Sequence, residues 1–336
     1  MGRPAPAENQ QPMSKAIVIE EFGGPEVLQW RDVTVPDPPA GEVRVEHQAV
    51  GLNFIDTYQR SGLYPLELPS GLGLEAAGVV AAIGPGVSGF QVGDRVAYTS
   101  MPPGAYAQER NYPADRLVPL PDEVDEQVAA ASMLKGLTAW YLLKRSYPVQ
   151  PGDTVLLYAA AGGVGVLAAQ WAAELGARVI GVVGSQPKAE LALRRGCSAI
   201  VMADDPNFVA TVRDLTEGEG VAAVYDSVGR DTFIQSLDCL RPHGTMVSFG
   251  NASGPVEPVA PLELSKRGSL FLTRPVLFDF IATPQMLRAA ASDLFAVLTG
   301  GVLDIEVGQS WPLANVAAAH RALEARRTQG ATLLLP

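Results

Sequence analysis

The chain has 336 residues, a formal net charge of −11, and 47% hydrophobic against 18% charged residues. That length suits about two domains of roughly 150 residues each, and that balance belongs to a globular protein with a large core, not to a disordered one. The acidity, with Lys144-Arg145, Arg194-Arg195 and Arg326-Arg327 standing as isolated basic pairs, disfavours nucleic acid as the main partner, because phosphate binding needs grouped cations.

Residues 1–12 (MGRPAPAENQQP) are polar and Pro-rich, and are expected to form a disordered extension, with folding from near Met13. Residues 15–20 and 42–50 read as short strands, separated by the turn cluster PDPPAG at 36–41. Residues 76–83 and 92–98 continue a β-rich region that extends over 13–135. Residues 126–145 then carry Ala, Leu and Met at helical spacing. A strand is predicted at 154–158, helices at 166–175 and 187–195, and a strand between them at 178–183, with Pro187 suited to a first helical turn. Short apolar runs at 199–202, 221–225 and 245–249 alternate with helical patterns at 207–216 and 231–240. This alternation predicts a parallel sheet covered on both faces, a doubly wound domain over about 150–275. The tail predicts helices at 284–299 and 313–327 and a last strand, ATLLLP. It is too small to stand alone and is expected to return to the first domain. Cys197 and Cys239 lack paired spacing, so neither a disulfide framework nor a thiolate metal site is expected. No apolar run reaches about 18 residues and no leader pattern is visible, so a cytoplasmic protein is expected.

The sharpest motif is Tyr158-Ala159-Ala160-Ala161-Gly162-Gly163-Val164-Gly165, placed after a strand and opening a helix. In that context Gly162 and Gly163 let backbone approach a pyrophosphate, and Gly165 lets the helix pack on the strand. The helix N-terminus adds free N–H groups and a partial positive charge. At the end of the second strand a carboxylate would take a ribose 2′-OH and repel a 2′-phosphate. Here Gly184-Ser185-Gln186-Pro187-Lys188 offers none. Ser185 and Lys188 suit a phosphate, which points to NADPH over NADH.

Gly51-Leu52-Asn53-Phe54-Ile55-Asp56-Thr57-Tyr58, Arg60 to Pro65 and Gly71 to Gly78 closely resemble quinone oxidoreductases of the zeta-crystallin type, in the medium-chain dehydrogenase/reductase superfamily. Lys135 to Ala139, the glycine turn, Tyr225 to Thr232, Ser248 to Asn251 and Thr273-Arg274-Pro275 are similar as well, so the resemblance covers 13–336. It implies a two-domain α/β protein. A GroES-like β-rich catalytic domain would span 13–137 and 276–336, and a Rossmann domain 138–275, with NADPH in the cleft between them. It further implies that Asn53, Tyr58 and Thr138 lie near the nicotinamide and Tyr64 edges the substrate pocket. Gly162, Gly163, Val164 and Gly165 would hold the pyrophosphate, and Ser185 and Lys188 the 2′-phosphate. Phe249, Gly250, Asn251, Thr273, Arg274 and Arg326 would line the rest of the channel. One departure is Ala203-Asp204, where bacterial members often carry Tyr-Arg; it predicts a weaker NADPH preference.

Zinc alcohol dehydrogenases of the same superfamily place Cys and His where Asn53 and Leu74 stand, beside a Glu like Glu75. A catalytic zinc needs about three protein ligands, and His47, His243 and His320 are scattered, so no metal is expected. The expected activity is NADPH-dependent reduction of a small quinone without metal or flavin. Asn53, Tyr58, Tyr64 and Thr138 are the candidate catalytic residues, with Tyr58 or Tyr64 as proton donor. An enone or enal double-bond reductase is the alternative, and an RNA-binding or crystallin-like role is a third reading. A homodimer through the edge strand near Leu270–Thr273 is expected from the superfamily.

Overall fold

The computed structural model describes residues 13–336; the expected extension at 1–12 lies outside the described residues. Six strands form one wholly parallel sheet. From one edge they are Ala199–Met202, Arg178–Val183, Thr154–Tyr158, Val221–Asp226, Leu240–Ser248 and Phe271–Thr273. Counted along the chain this order is 3-2-1-4-5-6, the doubly wound order that opens a crevice where it reverses, beside Thr154–Tyr158. Val221–Asp226 is buried at every residue, which is why its sequence is a continuous apolar run rather than an alternating one.

The remaining strands build a seven-stranded sheet and a three-stranded one. The strand Glu42–Leu52 is the hub of the larger sheet, pairing antiparallel with Glu75–Ile83, Glu109–Pro113 and Ala331–Leu335. The final strand of the tail thus completes that sheet. The helix Glu126–Tyr141, capped by the Asp125 side chain on Val128 N at 2.7 Å, is almost entirely buried. It packs on the helix Gly163–Glu174 and on the strand Glu42–Leu52. The expected boundary at 137/138 falls inside this helix, which runs through it unbroken.

Several expected bounds shift. The helix expected at 313–327 is a 3₁₀ turn, Leu313–Asn315, followed by Val316–Glu324; it stops before Arg326, whose φ of 57° is left-handed. The strand expected at 92–98 is Arg95–Thr99, because Gly93 takes φ 97° in a turn. The helix Phe54–Ser61 and the strand Gln29–Thr34 were not foreseen.

Candidate active site

A cavity of about 590 Å³ runs along the crevice between the parallel sheet and the first domain. The glycine turn forms its middle. Ala159 takes φ 51° after the buried Tyr158, and Gly162 caps the helix Gly163–Glu174. A Cβ on Gly165 would stand 2.1 Å from Ala159 O, so only hydrogen fits there. The first helical turn keeps its N–H groups free of intrahelical partners. The chain's last loop straps this turn, with Gly330 N donating to Ala161 O at 3.0 Å.

At one end stand Ser185, Lys188, Ala203 and Arg326. Lys188 Nζ donates to Arg326 O at 2.7 Å. Burial, and then the positive charge of Arg326, hold the Lys188 ammonium below the usual lysine range. The lining includes four cations, Lys135, Lys188, Arg274 and Arg326, and no Asp or Glu. In a chain of net charge −11, that segregation marks a site for an anionic ligand.

The other end is built on the helix Phe54–Ser61. Asn53 precedes it, and Asp56 Oδ2 accepts Asn53 N at 2.9 Å and Tyr106 O–H at 2.7 Å, which fixes the start of the helix. Burial pushes the Asp56 carboxyl up to about 7. Tyr106 also meets His320 Nε2 at 3.1 Å, and His320 Nδ1 lies 2.9 Å from Arg60. Arg60 pairs with Glu324 at 2.6 Å. This network ties the helix to the tail. It fixes one tautomer: Arg60 can only donate, so Nδ1 accepts and Nε2 carries the hydrogen.

Asn53 Nδ2 donates to Glu75 Oε2 at 2.8 Å, and that oxygen also accepts Lys135 Nζ at 2.9 Å. Glu75 Oε1 accepts Leu134 N at 2.6 Å. Tyr58 and Tyr64 meet edge to face with ring centres 5.3 Å apart. Across the crevice, Asn251 N donates to Tyr58 Oη at 2.9 Å, and Asn251 Nδ2 to Tyr64 Oη at 3.1 Å. Arg274 donates to Tyr64 Oη at 3.0 Å. Burial pushes the Tyr58 hydroxyl up to about 12.

Of the residues expected from the sequence, Asn53, Tyr58, Tyr64 and Thr138 line the cavity together. So do Gly162 to Gly165, Ser185, Lys188, Phe249, Gly250, Arg274 and Arg326. Asn251 is outside the lining and acts on it through the two tyrosines. Thr273 is also outside the lining; it sits in the edge strand opposite Val247, one residue before the turn that carries Arg274 to Tyr64. Glu75 and Lys135 were missed as site residues. Their signal was a charge inside an apolar segment, Lys135 within AAASMLKGLTAW.

The Glu75 carboxylate does not suit a metal. Its oxygens already accept Asn53, Leu134 and Lys135, and the neighbouring donors are an amide and an ammonium, neither a zinc ligand. Among the described residues no group of three or more His, Cys, Asp and Glu gathers to hold a metal ion.

Residues 39–122 match the family described as alcohol dehydrogenase GroES-like domain, and residues 163–292 the one described as zinc-binding dehydrogenase. The chain is 51% identical to a quinone oxidoreductase of Pseudomonas aeruginosa over 325 residues, covering 96% of this chain and 100% of that one. It belongs to the quinone oxidoreductase family. Its two domains are thus the GroES-like and Rossmann-type domains that the resemblance implied. The crystal structure of Escherichia coli quinone oxidoreductase complexed with NADPH superposes with a TM-score of 0.94 at 47% identity, covering 96% of this chain and all of that one. The chain is also 45% identical to a 2-haloacrylate reductase of a Burkholderia species, over 96% of this chain and 99% of that protein.

Proposed function

We propose that this protein binds NADPH along the crevice and reduces small quinones with it, using neither metal nor flavin. The observation that carries the reading is the cavity with four cations and no acid, which runs from the Ser185 end through the glycine turn to Asn53 and the two tyrosines. Gly162 to Gly165 hold the pyrophosphate on the helix N-terminus. Ser185, Lys188 and Arg326 take the 2′-phosphate, whose charge relieves the repulsion between the two cations. Asn53, Tyr58 and Thr138 flank the nicotinamide, while Phe249, Gly250 and Arg274 complete the channel around it and Asn251 supports it through the two tyrosines. NADPH bound there supplies the hydride.

Tyr64 donates the proton and Tyr58 positions. Tyr64 Oη accepts from both Asn251 and Arg274, so the hydrogen it has left to offer is its own. Burial raises the Tyr58 hydroxyl to about 12, which suits it to positioning rather than to proton release. Tyr64→Phe is expected to lower kcat by about 100-fold and Tyr58→Phe by much less; equal, small losses in both would remove tyrosine as the acid.

The 2-haloacrylate reductase relative supports a second reading, reduction of a carbon–carbon double bond conjugated to a carbonyl or carboxylate. A panel of benzoquinone, naphthoquinone and enone acceptors separates the two: enone turnover without quinone turnover favours the second. We place the protein in the cytoplasm as a homodimer. The domains divide at 13–137 with 276–336 and at 138–275, and the helix Glu126–Tyr141 serves as the shared spine.

A further inference from the structure

Lys135 is 4% exposed, lies on the buried helix Glu126–Tyr141, and lines the cavity. Its stem packs against the glycine turn, where a Cβ on Gly163 would meet Lys135 Cδ at 2.8 Å and Cε at 3.1 Å. Its Nζ stands 2.9 Å from Glu75 Oε2, the oxygen that also accepts Asn53 Nδ2 at 2.8 Å. The ammonium is therefore confined between the glycine turn and Asn53. Lys188 and Arg326 are joined to each other at the opposite end, and Arg274 is engaged with Tyr64. Lys135 is the one cation of the lining held at the foot of the Asn53 end.

An ammonium has three N–H donors. Among the described residues Glu75 Oε2 is the single hydrogen-bond partner of Lys135 Nζ, which leaves two donors without a protein acceptor. For the fold alone this is a poor arrangement, since buried ion pairs are commonly no better than apolar residues of the same volume. A buried cation with unused donors beside a ligand cavity suits an oxygen that arrives with the ligand.

We infer that Lys135 is a catalytic residue whose free N–H groups hold the acceptor oxygen on which negative charge develops. The inference rests on the quinone-reducing reading above. A quinone that takes a hydride, one proton with two electrons, from reduced dinucleotide becomes a monoanion, and the dinucleotide leaves oxidised. The new charge rests on a ring oxygen until one further proton, from Tyr64 and restored to it from solvent, completes the hydroquinone. A fixed cation in a closed cavity stabilises that oxygen without reorganising. Glu75 positions the ammonium and keeps the net charge of the pair at zero before the acceptor enters.

The test compares Lys135→Met, Lys135→Arg and the double variant Glu75→Gln/Lys135→Met with the parent protein. Two quantities are read: the Kd for NADPH by fluorescence titration, and kcat/KM for benzoquinone at saturating NADPH. Because Lys135→Met leaves Glu75 buried without its cation and invites misfolding, the double variant decides. The expected result is a fall in kcat/KM of about 100-fold with the Kd for NADPH changed less than about threefold, and partial recovery in Lys135→Arg. A fall smaller than about tenfold in a double variant that still binds NADPH overturns the assignment. So does a Kd for NADPH weakened beyond about tenfold with kcat retained at saturation, which would make Lys135 a cofactor ligand. Parent protein that binds NADPH and reduces no quinone fails the functional reading itself, and that result is read before any variant is compared.

Discussion

Two histidines show how burial sets chemistry residue by residue. His47 Nδ1 lies 2.7 Å from the Ala107 carbonyl and Nε2 2.9 Å from the Tyr98 hydroxyl, so Nδ1 donates and Nε2 accepts. Burial, the larger cause, and nearby Arg110 hold His47 down at about 4; burial and Arg60 hold His320 at about 3. A histidine depressed in the folded state contributes stability that is present above its unfolded pKa of about 6.5 and is lost as pH falls through the folded value. Asp56, raised to about 7 by burial, has the opposite sign: its contribution is present at low pH and is lost as pH rises towards neutrality. His47→Gln isolates one histidine. Between pH 7 and pH 5 the parent is expected to lose about 2 kcal/mol more unfolding free energy than the variant, measured by urea titration at both values. Equal losses would mean that His47 takes up a proton in the fold.

At the scale of the element, a glycine inside the glycine turn and one at the end of the next strand are expected to respond unequally to substitution. Gly165→Ala brings a Cβ to 2.1 Å from Ala159 O, whereas nothing lies within 4 Å of a Cβ on Gly184. Gly165→Ala is expected to cost about 1–3 kcal/mol of stability and to weaken NADPH binding, while Gly184→Ala leaves the thermal midpoint nearly unchanged. Calorimetry of both variants checks the contrast, and comparable midpoints would show that the strand–helix turn relaxes freely. This turn was legible in the sequence because its glycines sit between a continuous apolar strand and a strong helix, a local pattern. The helix Phe54–Ser61 was not, although its residues carried the resemblance. Its buried Asp56, Gln59 and Arg60 break the apolar pattern, and the partners that hold Asp56 and Arg60 include Tyr106, His320 and Glu324, at a distance in the chain. Lys135 was hidden for the same reason: its partner Glu75 lies 60 residues away. Thr273 shows the converse, since the edge strand that carries it was expected but its place outside the cavity lining depends on where the following turn sends Arg274.

For the whole molecule, the proposed homodimer would form at the exposed edge of the parallel sheet. Phe271 is 61% exposed and Leu272 40%, and an apolar edge strand left open invites pairing with a second chain. Sedimentation is expected to give twice the chain mass at micromolar concentration, and Phe271→Lys to shift it towards monomer. A monomeric parent protein would remove the homodimer.

The crevice joins both domains into one reaction cavity, and that joint site is the centre of the account. The most direct measurement follows NADPH absorbance in EDTA-treated protein with benzoquinone or naphthoquinone as acceptor, and NADH in parallel. Rapid, quinone-dependent oxidation that favours NADPH is the expected result. Protein that binds NADPH tightly but oxidises it with no quinone would contradict the account.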